Sequence, residues 1–239
     1  MKSLSDGFFS IDSKNGFLPI KEPLRNLPSR YENLQQLIDE MPVLKEDGNP
    51  GLLASKGSIE EAIRILPNYL SLVKLEKDSF VKAALFRSYS FLASAYTLSP
   101  SHHKFLKTGK YGMANDRLPS NISQPFVYIS NSLGVHPWLD YHYAYSLGNY
   151  LKIDKEKGFN WTNLSMAAKF SGMDDERGFI MLHVDINQYS PDLVKSAFGI
   201  ANSKNNESSL NKSLKLFTNT LKKINKRRRI MWEASRWKH

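Results

Sequence analysis

An all-α fold is what this 239-residue sequence predicts, and three observations predict it. Nearly every apolar pattern repeats at steps of three and four, and runs with strand alternation are few. The stretch 174–189 is apolar in every direction around a 3.6-residue turn, with Phe179, Ile180, Met181, Leu182, Val184 and Ile186 inside it. Such a helix belongs in the middle of a larger helical domain.

The elements follow in order. Residues 1–28 carry Gly7, Gly16, Pro19, Pro23 and Pro28 between short apolar pieces. They predict an extended arm held on the domain by Phe8, Phe9, Phe17, Leu18 and Ile20, with a helical domain over 29–239. Pro28-Ser29 opens a helix to about Met41, with Tyr31, Leu34, Leu37, Ile38 and Met41 on one face, and Pro42 closes it. Residues 47–51 form a turn. Ser58 and Glu61 have capping-box spacing for a helix over 59–66. Asp78 or Ser79 caps a helix to Tyr96 that ends at Ser99-Pro100, and its small residues let neighbours come close. A polar loop over 101–120 carries His102 and His103, facing water.

Gln124-Pro125 starts a helix that Gly134 ends. His136 sits in the link before an aromatic helix over 138–151, where Tyr141 and Tyr145 share a face and Trp138 joins them at i, i+7. Residues 161–172 read as a short helix and turn. Ser190-Pro191 breaks the chain before a helix to about Ala201. The last helix begins near Asn206, with the seam Leu210, Leu214, Phe217, Leu221 and Ile224.

Composition narrows the function. There is no cysteine, so there are neither disulfides nor thiolate metal sites, and the six histidines show no metal-ligand spacing. The absence of cysteine fits the cytoplasm. No apolar run reaches a membrane span, and the first residues lack the form of a signal peptide. The net charge of +10 is uneven. Residues 204–239 hold eleven Lys or Arg and two Glu, so the rest of the chain is nearly neutral. The run 226–229 is expected as a solvated helix end, and a nucleic-acid partner is not expected. P-loop, dinucleotide, nucleophile-elbow and HExxH patterns are all missing.

One polar side chain interrupts the buried helix. His183 follows Phe179 by four residues, so phenyl and imidazole share a face. They predict either a pocket wall for a flat aromatic ligand or a core histidine bonded to a backbone carbonyl. The aromatics of 138–151, Tyr141 among them, are either plain core or a second wall of that pocket.

Several segments, in order, resemble the indoleamine 2,3-dioxygenases. Gly16-Phe17-Leu18-Pro19 and Leu27-Pro28-Ser29-Arg30-Tyr31 are similar to that family's N-terminal arm. Ser90-Phe91-Leu92-Ala93-Ser94-Ala95-Tyr96 looks like its long helix. Leu118-Pro119-Ser120-Asn121-Ile122 with Pro125, then His136-Pro137, Tyr141, Asn149-Tyr150 and Asp154, match its following segments. Phe170, Gly172 and Gly178-Phe179 match its distal-pocket helix.

The resemblance implies a haem b enzyme that opens the indole ring of L-tryptophan with O2 to N-formylkynurenine. It makes Phe179 the aromatic against the indole. It puts His183 where mammalian members have a serine, and where the tryptophan 2,3-dioxygenases have a histidine facing the indole N–H. Phe179 and His183 would thus line the distal haem side, with His183 as the catalytic group. Tyr141 matches a pocket-wall tyrosine, with one residue more before Asn149 than in the relatives. The family's proximal histidine, its carboxylate-binding arginine and its Gly-Ser-Ala loop are expected beyond residue 239, and His239 comes too early to be that ligand. On that expectation the chain is the distal two-thirds of such an enzyme, with impaired activity. Two alternatives accompany it: the same scaffold acting on a modified tryptophan such as a chlorinated one, and a non-catalytic helical module with a basic tail.

Overall fold

The computed structural model describes residues 4–203 and 206–235. Residues 1–3, Lys204 of the basic tail and the expectation about His239 lie outside the described residues. The fold is all-α, as expected, with two small antiparallel ribbons added to the helices.

The arm begins as a ribbon of β1 (Leu4–Ser5) and β2 (Ser10–Ile11). Phe8 is buried against Phe80, Phe9 and Tyr143, and Leu18 is buried as well. Phe17 and Ile20, expected inside, are exposed, because an extended chain can lay only one face on its support. The arm is nevertheless fixed. The Phe17 N–H donates to the Ser190 hydroxyl at 2.9 Å. Arg87 is fully buried and reaches across to it, giving hydrogen bonds to the carbonyls of Leu24 (2.8 Å) and Gly148 (2.9 Å). Among the described residues no carboxylate accompanies this guanidinium, and burial pulls its pKa down to about 10.

The first core gathers five helices: α1 (Glu32–Glu40), α2 (Ser58–Ile65), α3 (Leu70–Leu75), α4 (Ser79–Thr108) and α5 (Ser120–Leu133). Helix α1 follows a 3-10 turn and buries the predicted face of Tyr31, Leu34, Leu37, Ile38 and Met41. The capping box before α2 does not form: Gly57 is the cap residue and Ser58 is already helical. Helix α3 was not apparent from the apolar pattern.

Helix α4 corrects the expectation most. Asp78 caps it, accepting from the N–H groups of Phe80 (2.7 Å) and Val81 (3.3 Å). It then runs through Pro100 to Thr108, so His102 and His103 are helical rather than in a loop. A proline inside a helix leaves the carbonyl four residues back without its donor. Here that carbonyl belongs to Tyr96, and the Asn115 side chain donates to it at 2.8 Å while the Asn115 N–H takes Thr97 O at 3.0 Å. Likewise α5 starts four residues before the expected Gln124 and carries Pro125 within it; Gly134 closes it as expected.

The aromatic segment is not an α-helix. Residues Tyr141–Ser146 form a π-helical turn, with Tyr145 N–H donating to Asp140 O and Leu147 N–H to His142 O, five residues back in each case. The chain then becomes β3 (Tyr150–Lys152), paired with β4 (Leu164–Met166). A π turn takes up one extra residue relative to an α turn. Trp138 turns out to solvent, 59 % exposed, and stacks on His136 instead of joining the Tyr145 face.

The second core surrounds α6 (Asp174–Asn187). Ile180, Met181, Leu182 and Val184 are buried, but Phe179, His183 and Ile186 are only half-buried, so one side of the helix is not fully covered. Helix α9 (Met231–Ser235) lies so close to α6 that a Cβ on Gly178 would stand 1.7 Å from the Ala234 carbonyl oxygen. Helices α7 (Ser190–Asn202) and α8 (Glu207–Arg228) form a hairpin, with Asn206 capping α8. The α8 seam is incompletely covered: Leu214 and Leu221 are each 42 % exposed.

Arg227 departs from the solvated role expected for the run 226–229. It donates from Nε (2.8 Å) and Nη2 (2.5 Å) to the two oxygens of Asp185, which is wholly buried on α6. Asp185 also accepts from Trp161 N–H (2.7 Å) and Gln188 Nε2 (2.9 Å). Removing one partner of such a pair strands the other charge without water. Arg227→Ala should therefore destabilise the fold by on the order of 3 kcal/mol, read from urea unfolding, whereas Arg228→Ala should leave the midpoint unchanged.

Candidate functional site

The site forms where the half-covered side of α6 meets the π-helical turn. Phe179 and His183 are neighbours, with ring centroids 5.1 Å apart. The Tyr141 ring stands edge-on to the imidazole at 5.4 Å, and its hydroxyl lies 2.9 Å from His183 Nδ1. All three predicted residues are thus brought together. Tyr141 and Phe179, but not His183, line a hollow of about 440 Å³ together with Tyr145, Phe170 and Ile180, with Glu176 at its edge.

The histidine's tautomer follows from its partners. His183 Nδ1 is 2.9 Å from the Phe179 carbonyl oxygen as well as from the Tyr141 hydroxyl. A bare nitrogen lone pair facing a carbonyl oxygen is repelled, so we assign the proton to Nδ1, shared between the two oxygens. Nε2 then carries the free lone pair, and it has no hydrogen bond from the described residues. Burial lowers the imidazole pKa, outweighing the Phe179 carbonyl, and His142 nearby acts in the same direction as burial. The ring is neutral at pH 7 and can accept one N–H. The contact with the Phe179 carbonyl is the core-histidine arrangement, and the side chain meets the hollow through its neighbours Phe179 and Tyr141.

The loop before α6 supplies what the apolar pattern did not reveal. Glu176 accepts from the N–H groups of Phe170 (2.8 Å), Ser171 (2.8 Å) and Gly172 (3.0 Å), from the Ser171 hydroxyl (2.8 Å) and from the Tyr145 hydroxyl (2.8 Å). In sequence it is one of three acids suited to a helix start. In the fold it binds the 170–172 loop and the π-helical turn to α6. Phe170 is held in a stack on Phe91 (4.5 Å, 22°) and edge-on to Tyr145 (5.6 Å, 84°). Gly172 has φ +74°, and a Cβ there would meet the Leu44 carbonyl oxygen at 1.8 Å. Burial, reinforced by the Glu176 carboxylate, raises the Tyr145 pKa well above the phenol range, so its hydroxyl remains a donor.

The mostly apolar hollow of this helical domain, walled by aromatic rings, has the form of a small-molecule pocket, and the His183 imidazole packs against two of those rings, Phe179 and Tyr141. The family model for indoleamine 2,3-dioxygenase matches residues 5–237, and the chain belongs to that family. The family is one of haem-dependent dioxygenases acting on tryptophan with O2. Comparison with individual curated proteins finds no match. Among the described residues no helix is long and apolar enough to cross a membrane, and no three His, Asp or Glu stand together to hold a bare metal ion.

Two outcomes are expected. Glu176→Ala orphans three backbone N–H groups and should cost about 3 kcal/mol, with Glu176→Gln recovering part of it in the same unfolding assay. His183 has a folded pKa below its ordinary 6.5. The unfolded chain therefore binds the extra proton first, and stability falls as pH drops through and below 6.5. His183→Ala should flatten that part of the melting-temperature profile between pH 7 and about 5.

Proposed function

We propose that this chain binds L-tryptophan, or a closely related indole, at the hollow beside Phe179 and His183 and takes part in its haem-dependent dioxygenation. The observation that carries this reading is the neutral imidazole with an unspent Nε2 lone pair packed against Phe179 and Tyr141, two rings of the hollow's wall. Those features suit an indole: Phe179 offers a ring to its flat face, and Nε2 accepts its N–H. With Nδ1–H shared between two oxygens, the Tyr141 hydroxyl keeps its own proton to donate to a ligand. Asp175 and Glu176 give the edge of the hollow the negative charge that suits an ammonium group.

The residues also fit one face of a haem. The wall is apolar and aromatic, which suits the macrocycle, and Phe179 and His183 would line its distal side. When bound, the haem iron supplies the binding and activation of O2. The protein's part is to orient the indole, keep water out and hold the indole N–H at His183 Nε2. Exclusion of water strengthens that single hydrogen bond. Among the described residues no histidine lines the hollow itself, and His183 adjoins it through Phe179 and Tyr141.

The test is tryptophan turnover by the haem-reconstituted protein, followed as N-formylkynurenine absorbance together with the Soret band. His183→Ala and Phe179→Ala should each lower kcat/KM by at least tenfold while the Soret band persists. A histidine-ligated Soret signature that disappears in His183→Ala would make His183 an axial ligand and overturn the distal assignment.

A further inference from the structure

A second hollow, of about 380 Å³, lies on the far side of Phe170 and Ser171, which line both. Its other walls are Val43, Leu53, Ala95 and Leu98, with Tyr111 and His102 towards the rim. No Lys, Arg, Asp or Glu lines it, whereas Asp175 and Glu176 line the first.

One polar group in its wall is unaccounted for. Ser99 is 3 % exposed, lines the hollow, and its hydroxyl has no hydrogen-bond partner among the described residues. The buried hydroxyls of Ser88 and Ser90 on the same helix, and of Ser130 on α5, each donate to the carbonyl four residues back at 2.7–2.9 Å. Ser99 alone of these four leaves that bond unmade. A buried hydroxyl without a partner costs about 1–3 kcal/mol, which a ligand supplying the partner recovers. The wall behind it is fixed, since Asn115 holds the Tyr96 and Thr97 carbonyls and the Ser101 hydroxyl donates to Gly112 O at 3.0 Å.

We propose that this hollow is a second binding site, for an uncharged aromatic molecule of about indole size carrying one hydrogen-bonding group. The ligand's rings lie among Phe170, Leu53 and Leu98, and its polar group pairs with the Ser99 hydroxyl after a small turn about χ1. Free tryptophan is excluded, because its ammonium and carboxylate would be buried against a wall with no countercharge. The site stands apart from the proposed dioxygenation and needs no haem.

The test is a methyl-resolved NMR titration of the full chain with indole, reading the Leu53 and Leu98 methyl signals. These should shift saturably with indole and not with L-tryptophan. Ser94 also lines the hollow, and Ser94→Phe, which fills it, should abolish the shifts. Ser99→Ala should weaken indole about tenfold, the equivalent of one hydrogen bond, without lowering the melting temperature. On the parent chain 1-methylindole, which has no N–H, should bind as weakly as indole binds Ser99→Ala. Leu53 and Leu98 signals unmoved by indole would overturn the proposal, as would equal binding to the parent and Ser99→Ala. Should Ser94→Phe fail to fold, the Ser99→Ala and 1-methylindole comparisons decide it alone.

Discussion

The Glu176 carboxylate is the constraint on which the site depends. Five donors converge on it from two segments, so the 170–172 loop and the π-helical turn are both held to its helix by one carboxylate. Hydrogen bonds to an ionised acceptor are stronger than neutral ones, and backbone donors cannot swing away as side chains can. The aromatic rings around the hollow therefore sit on a polar clasp, and their packing follows from it. The same loop is tied from the other side, because Val43 and Leu44 N–H groups donate to the Phe170 and Ser171 carbonyls at 2.8 and 2.9 Å.

Helix α6 has to satisfy opposing demands on its different sides. One buries aliphatic side chains, and another buries Asp185, whose charge Arg227 neutralises from the end of α8. The third leaves Phe179 and His183 half-covered, and a ligand can complete it. Since close packing tolerates few voids, a hollow beside rings of this size needs rigid surroundings. The Gly178 contact with α9 and the Asp185–Arg227 pair supply that rigidity on the sides away from the hollow.

The electrostatics suit an uncharged or N–H-bearing aromatic. Burial holds His183 neutral and keeps the Tyr141 and Tyr145 phenols protonated. An imidazole with one committed nitrogen and one free lone pair can read an N–H by direction, and the aromatic wall alone cannot. Family membership and the proposed indole site rest on separate observations: the match along the chain and the contacts of three side chains.

The sequence by itself determined the helical class, the α1 face, the Ser190 break, the α8 start and the pairing of Phe179 with His183, because these depend on local periodicity and chain chemistry, whereas α6, apolar all round in sequence, keeps one side half-covered. The sequence also carried the family resemblance. Only the tertiary structure decided the rest. Pro100 does not end α4, since Asn115, from a loop fifteen residues on, takes the freed carbonyl. The aromatic run became a π turn and a strand because Asn149 is bonded to Ala168 through both N–H···O contacts at 2.8 Å, a long-range pairing invisible to periodicity. Arg227 left the solvated run for Asp185, and Glu176 changed from a helix-start acid to a clasp. In each case a polar group found its partner far along the chain, and such pairings depend on which segments the fold brings together.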